Sequence, residues 1–317
     1  MGQGAVTLRS SVLQRAPGTT VTRREPMPWA PVAATAGPQR PLWEATALWF
    51  LTALAVLAGW FLLYAFVLSG YQEHSAQDAL YAKLRNQLAL GVAPLGKKIS
   101  LGDPIAVLVV PQAGINAVVV DGTTAGLLEH GPGLKADTPL PGEAGTSIIY
   151  GRSTLFGGPF RHLSVLAPGD VLQVTTGQGT FHYRVHDVRY SGGPEPPPLA
   201  AGQGRLTLTT AAGSGWRSLG VPDRYLYVDA TLVGKPAATP SGMPTAIPAN
   251  QRPMQGDPGA LIALVFWLQL LLLVVLALIW VRSRWGARLT WLIGAPLMLA
   301  LAWVVSEVAF QLLPNLI

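Results

Sequence analysis

The residues able to carry chemistry are few, and one whole class is missing. The chain contains no cysteine. That removes thiolate nucleophiles, disulfide frameworks, zinc–thiolate sites and lipoprotein acylation together. Five histidines remain: His74, His130, His162, His182 and His186. His182, Arg184 and His186 alternate, so in an extended strand they share one face. Two imidazoles there with a carboxylate would suit a metal, but a solvent-facing strand edge explains the same spacing without one, and no metal or cofactor is expected. Glu307 falls near the end of an apolar run, where an acid is either an intramembrane functional group or, more simply, an interfacial carboxylate facing water. Arg282, Arg284 and Arg288 lie between two apolar runs and could touch anionic lipid; topology signalling accounts for them first.

The elements that must position these groups follow from composition. Of 317 residues, 12% are charged and 50% apolar, about half the usual charged share, which excludes a disordered chain. Ala45–Gln72, Pro258–Val281 and Leu289–Ser306 contain no charge, and each is long enough to cross a hydrocarbon core of about 30 Å. Membrane helices are expected at 45–70, 259–281 and 289–313, the last interrupted by Gly294 and Pro296. Residues 1–44 and the short loop 282–288 carry eight cations against Glu25 and Glu44, whereas 71–258 hold 14 cations and 13 acids. The positive-inside rule then makes the tail 1–44 and the loop 282–288 cytoplasmic and places the intervening region outside. The net charge of +6 thus reports topology, and no nucleic-acid partner is expected. With a 44-residue tail before it and no small-x-small cleavage site after it, the first span reads as a retained signal-anchor in a multi-pass plasma-membrane protein.

Beyond that span, Ala76, Leu80, Leu84 and Leu88 form a helical stripe, with Gln77, Lys83 and Arg85 elsewhere. The spacing predicts a stalk over 71–100, its helix ended by Gly91 and Pro94. From Ile105 the pattern turns to short β-rich runs at 105–110, 117–120, 147–150, 171–175, 180–190, 206–210 and 225–233, with a short helix at 124–130. Seven or eight such strands separated by Gly and Pro predict a mainly β fold, an antiparallel barrel or sandwich over 101–233. Residues 234–258 carry six prolines and read as a semi-rigid, extended linker to the final helical hairpin.

Within this region the motifs resemble, in order, those of the sortases, and among them the class E group of actinobacteria. Ile105-Ala-Val-Leu-Val-Val-Pro111 and Ala117-Val-Val-Val-Asp-Gly122 match the first two strands. Gly131-Pro-Gly133 and Thr138-Pro-Leu-Pro-Gly-Glu143 follow, then Gly151 and Gly157-Gly-Pro-Phe160, then Leu163, Leu166 and Gly169-Asp170. Leu206-Thr-Leu-Thr-Thr210 and Arg224-Tyr-Leu-Tyr-Val-Asp-Ala230 close the series. The resemblance implies a closed sortase-like β-barrel outside the membrane. It also implies a transpeptidase site of cysteine nucleophile, histidine acid–base and oxyanion-steadying arginine.

Two of those three positions are substituted. The cysteine position holds Ala211, the histidine position holds Arg152, and Arg224 alone remains. Alanine offers no nucleophile and a guanidinium does not shuttle protons at neutral pH. Losing one member of such a unit costs roughly 10⁴ to 10⁶ in rate. Three readings follow. One is a membrane-anchored pseudoenzyme that binds a protein or peptide partner at the extracytoplasmic face, with Arg152, Thr209 and Arg224 lining its groove. Another is a transpeptidase using Thr209, on the same strand face as Ala211, as an unorthodox nucleophile. The third is a structural subunit of a membrane complex. In the groove, Arg152 and Arg224 would together hold a carboxylate or phosphate; alternatively each pairs with a local acid such as Asp223 or Glu143.

Overall fold

The structure is a computed structural model that describes residues 42–93, 99–213, 224–238, 247–285 and 287–317. The chain forms two compact units, residues 1–52 and 53–317. In the first, the described residues are helical, and Thr52 donates to the Leu48 carbonyl (2.8 Å). The expected tail lies almost entirely outside the described residues.

Helix α1 (Leu42–Leu63) passes through a π-helical turn, Tyr64–Leu68, into α2 (Ser69–Ala89). The Ser69 hydroxyl donates to the Ala65 carbonyl within this turn (2.6 Å). After Ala89, Gly91 takes a left-handed φ of 67° and Val92 N–H returns to the Gln87 carbonyl, a closure that suits a residue without Cβ. The stripe on α2 is only partly used: Leu84 is buried, while Leu88 is exposed. Gln77, off the stripe, docks the helix instead. Its Oε1 accepts from Val118 N–H (2.6 Å), and its Nε2 donates to the Val118 and His130 carbonyls (3.1 and 2.7 Å). A side-chain amide offers one acceptor and two donors, so it substitutes for a neighbouring strand along β2.

Eight strands close into a barrel in the order β1-β2-β3-β4-β7-β8-β6-β5. They are β1 (Pro104–Val110), β2 (Ile115–Asp121), β3 (Gly133–Leu134), β4 (Gly145–Tyr150), β5 (Val171–Thr176), β6 (Gly179–Tyr190), β7 (Gly204–Ala212) and β8 (Arg224–Val233). β2–β3 and β4–β7 pair parallel, the other neighbours antiparallel. The sequence misses only β3, whose two residues are too short to show a period; it follows Gly131, against which the Gln77 amide sits in the space of a missing Cβ. Where a helix was expected at 124–130 there is a 3₁₀ turn, Leu127–Glu129. Inward residues such as Leu108, Val174, Tyr183, Leu208 and Val228 fill the core. β7 is buried on both faces from Leu206 to Ala211, which a solvent-facing barrel strand would not be.

Helices α3 (Ala260–Trp285) and α4 (Ala287–Phe310) form a hairpin, and α4 runs on through Pro296. Three helical stretches, Leu54–Ala89, Ala260–Arg284 and Thr290–Phe310, are long and apolar enough to cross a membrane. Of the proline-rich segment before α3, residues 234–238 and 247–258 are described, and both parts bond to the barrel or its connections. Ala237 N–H bonds to the Gly142 carbonyl, and Gln251 is buried with its carbonyl accepting from the Thr123 hydroxyl (2.6 Å). The segments flanking the hairpin also join each other: Asp257 N–H donates to Gln311 O and Asn315 N–H to Gln255 O. Buried Asn315 completes the junction, donating to the carbonyls of Thr123 and Arg252 (2.8 and 3.0 Å). Proline fixes φ but leaves the carbonyls free to accept, so proline-rich segments can be held where donors converge.

Candidate functional site

Three strands end together at the site. In the β7–β8 ladder Ala212 faces Arg224 and Ala211 faces Tyr225, while β4 flanks β7 on its other side. The chain leaving β4 is tied to β7: Gly151 N–H donates to the Thr209 carbonyl (3.1 Å) and the Thr210 hydroxyl to the Gly151 carbonyl (2.8 Å). Ala211, Arg224 and the loop carrying Arg152 are therefore neighbours. Beside them opens a groove of about 450 Å³. Its lining draws Arg224 from β8, Tyr190 from β6, Ala211 from β7, and Ser153, Phe160, Arg161 and Ser164 from the stretch after β4.

The expectation that Arg152 lines this groove is corrected by its burial. Its side chain is wholly inaccessible and turns to the other side of the loop. Nη2 donates to the Ala125 carbonyl (2.9 Å), Nε to Leu128 O (3.2 Å) and Nη1 to Ile317 O (3.4 Å), and the guanidinium stacks over Phe156 (4.7 Å). Phe156 itself holds a φ of 49°, a left-handed conformation uncommon outside glycine. The local acid is Glu129, 3.8 Å away, not Asp223 or Glu143; Asp223 lies outside the described residues. Burial pushes the Glu129 carboxyl up to about 8 despite the Arg152 charge, so near neutrality it is largely protonated. Burial also lowers Arg152 to about 10, which leaves it cationic. A buried guanidinium is tolerable only when its donors are answered, and here backbone carbonyls answer them.

The lid over this pocket is the end of the described chain. Ser153 N–H bonds to the Leu316 carbonyl (3.0 Å), and Leu316 packs with Ala211, Leu128 and Tyr150. Both substituted positions therefore contact the segment that follows α4. Ala211 also forms part of the groove, although it is only 5% exposed.

Thr209 does not line the groove either. It is buried and its hydroxyl has no hydrogen-bond partner. Thr210 does line it, with its hydroxyl committed to Gly151. No histidine or carboxylate is among the groove's described lining residues, and among the described residues neither threonine hydroxyl is hydrogen-bonded to a base of the kind that activation requires. His182, Arg184 and His186 are exposed along β6. Among the described residues no group of His, Asp and Glu could hold a metal. Glu307 is half-buried and bears electrostatically on Glu129, rather than simply facing water. Sequence reasoning overlooked Arg161, although it directly follows the Pro159-Phe160 pair, and Glu129 and Asn315, which carry no motif.

Residues 108–230 match the family model of the Sortase domain. The barrel is of sortase type. Among solved structures, a sortase D5 transpeptidase of Clostridium perfringens is 24% identical with a TM-score of 0.41, covering 52% of this chain and 99% of that one. The SrtF sortase of Corynebacterium diphtheriae is 22% identical with a TM-score of 0.39, covering 50% and 97%. A sortase C of Clostridium perfringens, solved with the C-terminal cell wall sorting motif, is 20% identical with a TM-score of 0.38, covering 50% and 89%. No curated protein matches the chain.

Proposed function

We propose that the protein is a membrane-anchored, non-catalytic member of the sortase-type group, close to class E, whose groove binds a peptide segment of an extracytoplasmic or membrane partner. One observation carries this reading: the groove is open beside Arg224, yet its described lining holds no histidine, lysine or carboxylate to serve a nucleophile as base. Binding surfaces survive the loss of chemistry because burial and hydrogen bonding do not need a nucleophile. The test pairs turnover with binding. Purified full-length protein in detergent should release no product from sorting-signal peptides above a buffer blank, while retaining such peptides on a column. Turnover that vanishes on Arg224→Ala would defeat the proposal in favour of an unorthodox enzyme. Absence of both turnover and retention would leave the structural-subunit reading.

The same proposal places the barrel outside and the tail and the α3–α4 loop inside. It is supported by the charge bias and by the segments flanking α3 and α4, which meet at the barrel while Arg282 and Arg284 lie at the far end of α3. Without native cysteine, a single introduced thiol is unambiguous. Val171→Cys, exposed on β5, should react with an impermeant maleimide in intact cells, and Ser283→Cys should not; the reverse pattern overturns the orientation.

A further inference from the structure

The groove has a sign. Two guanidinium groups, from Arg161 and Arg224, line it together with the hydroxyls of Ser153, Ser164 and Tyr190, and no acid is among its described lining residues. Arg161 is fixed at the rim, donating to the Thr154 carbonyl (3.2 Å), and is in no ion pair among the described residues. Arg224 is exposed and stands beside the Tyr190 ring (5.8 Å). The two come from different segments, the loop after β4 and the start of β8, and both line the one groove. Two cations over a partly apolar floor of Phe160, Ala211 and Leu226 suit a group whose charged end follows a short aliphatic stem. Carboxylates fit guanidinium forks by paired hydrogen bonds, and hydroxyls supply further donors.

We infer that this groove is a carboxylate-recognition site, and that the partner segment it takes carries an aspartate, a glutamate or a terminal carboxylate between Arg161 and Arg224. The inference rests on the binding reading above and adds the charge of the ligand. It also replaces the expected arginine pair: Arg161, not Arg152, is the second cation.

The experiment uses the full-length chain, immobilised in detergent, and two capped heptapeptide pools. The flanking positions are randomised identically; the centre is Asp or Glu in one pool and Asn or Gln in the other. The acidic pool should be retained about tenfold more strongly at low salt, as expected for charge-assisted contacts with two guanidinium groups, and the preference should shrink as salt rises. Arg161→Gln and Arg224→Gln should each reduce it severalfold and together abolish it. Arg184→Gln, which removes an exposed cation on β6 away from the groove, should leave it intact. Equal retention of both pools overturns the carboxylate inference while the binding reading stands. Retention of neither overturns both. Displacement of the acidic pool by methyl phosphate at concentrations where acetate has no effect assigns the site to a phosphate-bearing ligand and overturns the peptide assignment. A preference that persists in both groove variants but falls with Arg184→Gln shows general surface charge and overturns it too.

Discussion

Arg152 and Arg224 both belong to the neighbourhood of β7, one in the loop paired to it and one on the adjoining strand, yet they have opposite surroundings. Arg152 is sealed, its donors answered by carbonyls of the β2–β3 connection and of residue 317. Arg224 stands exposed on an open groove. The difference teaches that residue type does not specify surroundings, even for two arginines beside one strand. What decides is whether the rest of the chain covers the position. Here the segment after α4 covers one side, through Leu316 and Asn315, and leaves the other open.

The largest effect should separate the two arginines by stability. Arg152→Ala leaves buried carbonyls without donors and a cavity in a closed pocket, so it should destabilise the protein by about 3 kcal/mol or more. Arg224→Ala, at an exposed position, should remain within about 0.5 kcal/mol. Thermal unfolding in detergent measures both. Leu316→Cys supplies a local readout: that thiol should resist maleimide in the parent background and react once Arg152 is truncated. Equal losses at the two arginines would erase the contrast.

A second test introduces a thiol and an imidazole at the two positions that the motif series singles out. In Arg152→His with Ala211→Cys, the new imidazole starts from the sealed side of the loop, and the new thiol lies under Leu316. No peptide hydrolysis should appear above blank. Hydrolysis at any rate above it would show that the covering segment moves aside and that the two sides are less distinct than they stand in the structure.

The smallest effect is a pH slope. Burial raises Glu129 from the ordinary carboxylate range to about 8, so the folded state keeps a proton that the unfolded chain releases near 4.5. Its stability contribution is complete below that lower value and is lost as pH rises through about 8. Asp121, pushed up to about 6 by burial and by Asp103, titrates earlier in the same sense. Glu129→Gln, which fixes the neutral form, should therefore flatten the decline in melting temperature between about pH 5 and 8, with parent and variant closest at the acid end of that range. An unchanged slope would mean that Glu129 is ionised beside Arg152, and that the sealed side is an ion pair.

Much of the fold was legible because it rests on local patterns. Alternating apolar residues located seven strands, and charge-free runs marked the membrane-length helices, both being consequences of period and composition. Motif order also brought Ala211, Arg224 and the loop of Arg152 to one end of the barrel, because each motif is anchored to a strand and strands fix register. Gln77 was not legible, since its role arises from the backbone of β2, 41 residues away. Arg161 was not legible as a groove residue, because nothing local tells a rim arginine from any other.

The amino-acid sequence by itself determined that there is no thiol and that a β-barrel accompanies apolar helices of membrane length. These are statements about which atoms are present and how they repeat, and they need no partner. Only the tertiary structure decided which arginine faces the groove, that Ala237 and Gln251 bond back to the barrel and its connections, and that residues 315–317 close over Arg152. Those outcomes depend on which distant carbonyls and apolar surfaces meet a side chain. A guanidinium goes wherever its desolvation is best compensated, and for Arg152 that compensation comes from carbonyls 24, 27 and 165 residues away.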